Sequence, residues 1–239
     1  MKVTPIIMSS PMVGALLEGR KTMTRRIIKP QPSIVPDWSC PGKDGIRFKW
    51  ATYALDMLGQ FMAQIVEKCP YGKPGESLLW VRENGWQRPE RTERMMRDGA
   101  DTWPPFEYDA NDCMSDESLK EWGWKRRPSI YMPRWASRLT LELSGVRVER
   151  LQDITEEDAI AEGIEPVFTG AKERCGWLDY QHAGAGVGYF PNPIDSYHSL
   201  FRSLHGDDIV AKNPWLWALN FVPHRQNIDT FLKTREVAA

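Results

Sequence analysis

Residues 19–26 read Gly-Arg-Lys-Thr-Met-Thr-Arg-Arg, which puts the amine of Lys21, the hydroxyls of Thr22 and Thr24 and the guanidiniums of Arg20, Arg25 and Arg26 in one short stretch. Such a set suits three kinds of chemistry: holding an anion, holding a nucleic acid, or breaking a bond. Cleaving an amide needs a nucleophile, a base to activate it and an acid to protonate the leaving amine. Thr24 can supply a hydroxyl oxygen. Lys21 can act as base only if its pKa is lowered, and the neighbouring Arg20, Arg25 and Arg26 push it that way. The same guanidiniums could bind a phosphate or steady an oxyanion. The plainer reading is a solvated basic rim, with Thr22 and Thr24 serving only as good strand residues.

Geometry sets a condition on the chemical reading. In a regular strand Lys21, Met23 and Arg25 share one face, and Thr22, Thr24 and Arg26 share the other. Lys21 and Thr24 meet only if the chain turns or bulges between them. Gly19 follows an apolar run, Pro11 to Leu17, that reads as a short helix opened by Ser10 and Pro11. Gly19 then reads as its C-cap, from which residues 20–26 emerge out of a tight turn.

The rest of the chain must position this segment. Residues 3–8 read as a strand, and a proline-punctuated loop runs from Lys29 to Pro41. A strand-like piece, Ile46 to Trp50, and a mixed or helical piece to Glu67 follow. Lys73-Pro-Gly-Glu76 is a turn signal. It leads into a strand, Ser77 to Glu83, on which Trp80 and Arg82 point one way and Glu83 the other. Trp80 could stack on a base or belong to the core. Residues 88–128 are polar, acidic and aromatic without a clean period, and read as an insertion of loops and short helices. Trp103, Trp122 and Trp124 lie there, as a lid or as anchors for the insertion.

Leu139, Leu141 and Leu143 alternate with polar residues and predict a strand that continues through Val148. Thr155 caps a short helix with acids in its first turn, ended by Gly163. The glycine-rich stretch 168–193 reads as a mobile loop and fits no phosphate-loop pattern. An amphipathic helix over Ile194 to His205 ends at Gly206, a strand spans Trp215 to Val222, and the tail from Pro223 reads as polar and loosely held. Without βαβ repeats a parallel sheet is not expected. The sum predicts an α+β fold: a small mixed-strand β-barrel with short helices plugging its ends.

Composition narrows the partners. A formal net charge of −1 on 239 residues argues against a protein that holds nucleic acid by charge alone. Yet residues 1–30 carry six basic residues against Glu18, whereas residues 98–121 carry eight acids against Lys120. A basic patch on a neutral protein suits a small or single-stranded anionic ligand. Cys40, Cys69, Cys113 and Cys175 form no CxxC pair and no histidine stands at zinc-finger spacing, so reduced, buried thiols and no metal are expected. His182 and His198 likewise show no metal spacing. The start of the chain lacks a signal-peptide pattern and no window reaches the roughly 18 apolar residues of a membrane span, so a cytoplasmic location and no membrane are expected.

Further stretches join the Gly19-x-Lys21-x-x-Thr24-x-Arg26 set. They are Pro5-Ile-Ile-Met-Ser-Ser-Pro-Met-Val13, Gly75-Glu-x-Leu-x-Trp-Val-Arg-Glu83 and Met132-Pro-Arg-Trp-Ala-Ser-Arg138. Arg147-Val-Glu-Arg-Leu-Gln-Asp-Ile-Thr-Glu-Glu-Asp-Ala159 with Glu162-Gly163, and Asn213-Pro-Trp-Leu-Trp217, complete them. In this order, over residues 3–222, the chain resembles the ASCH-domain proteins of the PUA-like superfamily, in particular their phage and prophage branch. The resemblance implies a single PUA-like domain over 1–224, with insertions at 88–128 and 165–193 and a polar tail at 225–239. It also implies a cleft facing a nucleotide or RNA. Small bacterial members include N4-acetylcytidine amidohydrolases, which remove an acyl group from the base nitrogen.

The resemblance carries three catalytic positions onto this chain: Thr24 as nucleophile, Lys21 as base and Glu162 as proton shuttle. Glu162 stands in the last turn of its helix, where the dipole disfavours a charged carboxylate and is expected to raise its pKa; it could equally just pair with an arginine. Arg25, Arg26, Trp80 and Arg82 are the expected substrate-binding residues. No cofactor and no metal are implied, and the expected partner is a modified nucleoside or RNA. The rival readings are a non-catalytic module binding RNA or single strands through the same cleft, and a ribonuclease.

Overall fold

The computed structural model describes residues 1–32, 62–88, 105–111, 115–168, 173–182 and 188–238. The expected strand at Ile46 to Trp50 and the expected role of Trp103 lie outside the described residues. In chain order the elements begin with β1 (Lys2–Ile7), α1 (Ser10–Leu17), β2 (Met23–Ile27), β3 (Ser77–Arg82) and β4 (Gly85–Gln87). Next come β5 (Phe106–Tyr108), α2 (Asp116–Glu121), β6 (Lys125–Arg127), β7 (Thr140–Arg150), α3 (Glu156–Ala161) and β8 (Pro166–Phe168). The chain closes with β9 (Arg174–Leu178), β10 (Tyr189–Phe190), α4 (Pro193–His205), α5 (Asp207–Ala211), β11 (Trp215–His224) and α6 (Ile228–Ala238). The protein is thus mixed α+β, with short helices and several sheets. Among the described residues no sheet closes on itself into a barrel.

The chain divides into two compact units. The first holds residues 1–19, 77–142 and 222–239. In it β1 runs parallel to β3, with Lys2 opposite Ser77 and Ile7 opposite Arg82, and β3 runs antiparallel to β7. A parallel pair thus forms without a βαβ repeat, between strands some seventy residues apart, a separation whose closure cost grows only slowly with length. A second sheet, in the order β5-β4-β6, occupies part of the stretch expected to be irregular. Its strands are three residues each, too short for a period-2 signal, and Trp86, Leu119 and Trp124 form its core. The C-terminal stretch differs from expectation as well. It forms α6, and Ile228, fully buried, packs with Leu78, Trp80 and Phe231. A polar helix with one apolar edge docks through that edge.

The second unit holds residues 20–76 and 143–221. There β2 pairs antiparallel with β11, placing Thr24 opposite Leu219, Arg25 opposite Ala218 and Arg26 opposite Trp217. Leu151, Ala159, Ile164, Trp177, Tyr197, Phe201 and Leu216 pack as its core. Thr155 caps α3 by accepting from the Asp158 amide at 3.2 Å, and three acids fill the first turn. Gly163 then turns the chain out of the helix with φ at 83°. The glycine-rich stretch expected to be a mobile loop instead contributes β9 and β10 to a sheet ordered β10-β9-β8. Gly176 is there because a Cβ would stand 2.5 Å from the Phe190 carbonyl oxygen. Gly176 signals close strand approach, which composition alone does not distinguish from mobility.

Candidate functional site

α1 ends at Leu17, and Gly19 follows with φ at 78°, the left-handed residue expected after a helix end. β2 begins only at Met23, so Lys21 stands in the approach to the strand. The Thr22 amide donates to the Ala161 carbonyl, which ties this approach to the end of α3. Arg20 reinforces the tie: its Nη1 donates to the Gly163 carbonyl at 2.8 Å, satisfying backbone acceptors past the helix end.

These ties bring Lys21 to Glu162. The Lys21 ammonium has no solvent exposure, and its Nζ donates to the Glu162 carboxylate Oε2 at 2.8 Å and to the Glu162 carbonyl at 2.6 Å. Glu162 is the C-cap of α3, with its side chain 4% exposed. Its other oxygen, Oε1, is buried without a hydrogen bond among the described residues and lies 3.6 Å from Arg25 Nη1. Burial pulls the Lys21 pKa below its ordinary value. The Glu162 charge and hydrogen bond act against that shift, and Arg26 and Arg25 act with it. The lowering expected from the arginines therefore has burial as its chief cause.

Arg25 anchors a second ring of charges. Its Nη2 donates to Asp158 at 2.6 Å and to Glu149 at 2.9 Å, and Arg147 donates to the same two carboxylates at 2.6 Å each. Arg25, expected to bind substrate, is thus committed to two carboxylates inside the protein. The Tyr197 ring lies 5.9 Å from the Arg25 guanidinium, and burial, with the Glu162 charge adding to it, pushes the Tyr197 phenol well above its usual range.

Sequence reasoning missed Glu149, Asp158, Arg147 and Tyr197 as members of this cluster. Arg147 and Glu149 stand two apart on β7, a spacing that puts both on one strand face. Asp158 shows in the sequence only as a first-turn helix acid. Nothing in the sequence singles Tyr197 out from the other buried residues of an amphipathic helix.

Thr24 is buried on β2, 1% exposed. Lys21, ahead of the strand, and Arg25, within it, both reach toward Glu162; along β2 Thr24 alternates with Arg25 and shares its face with Arg26. Trp80 and Arg82 fall in the first unit. Trp80 packs with Leu78 and Ile228, and Arg82 lies over its ring at 5.3 Å while donating to the Ile130 carbonyl. Trp80 is a core residue in this structure, the alternative its strand position left open.

A cavity of about 560 Å³ in the second unit is lined by Arg20, Ile160, Ile164, Phe168, Arg174 and Trp177. Three of these neighbour the buried pair in the chain, Arg20 beside Lys21, and Ile160 and Ile164 on either side of Glu162. Lys21, Thr24 and Glu162 themselves are not in its wall. Among the described residues no cluster of histidine, cysteine and carboxylate groups could hold a metal ion, and no helix is long and apolar enough to cross a membrane. Comparison with protein-family models, with curated proteins and with solved structures finds no match to this chain.

Proposed function

We propose that the protein is a metal-independent amidohydrolase that removes an acyl group from N4-acylated cytidine or a related modified nucleoside. One observation carries this reading: a fully buried lysine, its pKa lowered, is bonded to a nearly buried glutamate whose second oxygen has no hydrogen bond. Such a pair can take a proton from a nucleophile and return it to a leaving amine, which amide cleavage requires. The ordered motifs shared with ASCH-domain proteins support the substrate class, because that resemblance implies a Lys–Thr–Glu set acting on acylated cytidine. The 560 Å³ cavity beside the pair is of ligand size, and its Trp177, Phe168 and two guanidiniums suit a planar acylated base.

In this reading a hydroxyl oxygen attacks the acyl carbonyl and its proton passes to the Lys21 amine. The C–N bond breaks, and the proton travels through Glu162 to the departing N4 nitrogen. If the attacking oxygen is a threonine's, the acyl group remains on it as an ester that water hydrolyses in a second step, releasing the acid and restoring the hydroxyl. If it is water's, the acid is released directly. Thr24 is the nucleophile implied by the resemblance; its position across the strand from Arg25 makes its role the part most open to substitution. Thr24→Ala distinguishes a threonine nucleophile, which requires activity to vanish, from a Lys21-activated water, which does not. A panel of N4-acylated cytidines and deoxycytidines, followed by the ultraviolet change on conversion to cytidine, tests the function. Absence of turnover on every member overturns it.

The complete burial of Lys21 favours a second reading, a non-catalytic module that binds RNA or another single strand. There the pair only fastens β2 to α3. Salt-sensitive binding of single strands, with no conversion of any acylated nucleoside, is the result that selects it.

A further inference from the structure

A second cavity lies at the C-terminal end of β2, and none of Lys21, Thr24 and Glu162 is among its described lining residues. Its volume is about 540 Å³, within the range of small-molecule sites. Trp217 and Tyr71 contribute aromatic wall, Ile28 and Ile65 apolar wall, and Lys29 and Lys68 bring ammonium groups from two separate chain segments. Among the described residues of the wall, none bears a carboxylate.

The rim is held in place. The Gln31 amide nitrogen donates to the carbonyls of Ile28 at 2.7 Å and Trp215 at 3.0 Å, and its oxygen accepts from the Trp215 amide at 2.8 Å. The loop carrying Lys29 is therefore tied to β11 at both ends of one side chain. Arg26 stands directly across from Trp217 in the β2–β11 register, on the face of β2 that carries Thr24. Burial raises the Tyr71 phenol and the Arg26 charge pulls it the other way, so the guanidinium acts at the cavity wall.

We propose that this cavity binds a nucleotide, its base against Tyr71 and Trp217 and its phosphate between Lys29 and Lys68. Aromatic surface serves any base, and two ammoniums in a wall whose described residues include no acid select an anion over a neutral nucleoside. The site stands independently of the amidohydrolase reading: it does not involve Lys21 or Glu162, and its occupancy is measured without turnover.

Isothermal titration of the full chain with cytidine 5′-monophosphate, cytidine, inorganic phosphate and a short single-stranded oligocytidylate tests it. The monophosphate should bind about tenfold more tightly than cytidine or phosphate, and added salt should erode that margin. The Lys29→Ala/Lys68→Ala variant should lose the margin while keeping its affinity for cytidine, and Tyr71→Ala should weaken both ligands. An oligonucleotide that binds more tightly than the monophosphate identifies a strand as the occupant, and equal binding identifies the free nucleotide. The proposal is overturned if no ligand binds, if monophosphate and cytidine bind alike, or if the double variant binds the monophosphate as the wild type does.

Discussion

Replacing Lys21 with methionine keeps the length of the side chain and removes its charge. Among the described residues Glu162 then keeps only Arg25, at 3.6 Å, as a cation within reach, and the 2.8 Å bond to Nζ is gone. Removing one partner of a buried pair costs about 3–5 kcal/mol, because the remaining charge is left desolvated. Arg25 moderates the loss, so the expected cost lies near the lower figure, about 3 kcal/mol. Glu162→Leu should cost a similar amount, since among the described residues Lys21 would retain only the residue-162 backbone carbonyl as acceptor. The double variant removes both charges and should be more stable than either single variant, within about 2 kcal/mol of the wild type. Urea unfolding of all four proteins, compared at equal slope, reads these differences as a double-mutant cycle. Single variants that each cost under about 1 kcal/mol, or a double variant whose cost is the sum of the two, would refute the coupled buried pair.

Linkage gives a second expectation. The native Lys21 pKa lies below its ordinary value of 10.5, so in the window between the two the unfolded chain binds more protons than the folded one. Stability of the wild type relative to Lys21→Met should therefore rise as pH rises through that window, and a fall in alkaline denaturation series would contradict the burial argument. Ile228→Ala should destabilise by about 2–4 kcal/mol in urea unfolding, because Ile228 is fully buried against Leu78 and Trp80; a negligible change would return the C-terminal segment to a loose tail. Gly176→Ala should cost about 1–3 kcal/mol, since the new Cβ would stand 2.5 Å from the Phe190 carbonyl oxygen, and wild-type stability in that variant would argue against the β9–β10 contact.

The elements nearest the basic segment were legible because their signals are local. The Ser-Pro entry to α1, Gly19 with positive φ after it, the Thr155 cap and the Gly206 stop each depend on one or two residues and their immediate neighbours. The helix N-cap still fell on Ser9 rather than Ser10, and no side-chain hydroxyl caps it. What the sequence did not disclose depends on pairing at a distance. Strands of two or three residues such as β4, β6 and β10 have no readable period, and their glycines and charges resemble loop composition until the partner strand is known. The same limit applies to the site. Lys21 and Glu162 were joined only through the family resemblance, while the carboxylates of Glu149 and Asp158 and the ring of Tyr197 come together through β7, α3 and α4. Alternation along β2 puts Thr24 on the face opposite Arg25, while Lys21 precedes the strand and is placed by its bonds to Glu162.

The measurement that bears most directly on the account is the rate of acetate release from N4-acetylcytidine by the wild type, Lys21→Ala and Glu162→Gln, each shown by circular dichroism to be folded. The account predicts turnover by the wild type, none detectable with Lys21→Ala, and a loss of about a hundredfold or more with Glu162→Gln, the scale of a lost general acid–base group. A folded Lys21→Ala protein that releases acetate at the wild-type rate contradicts it.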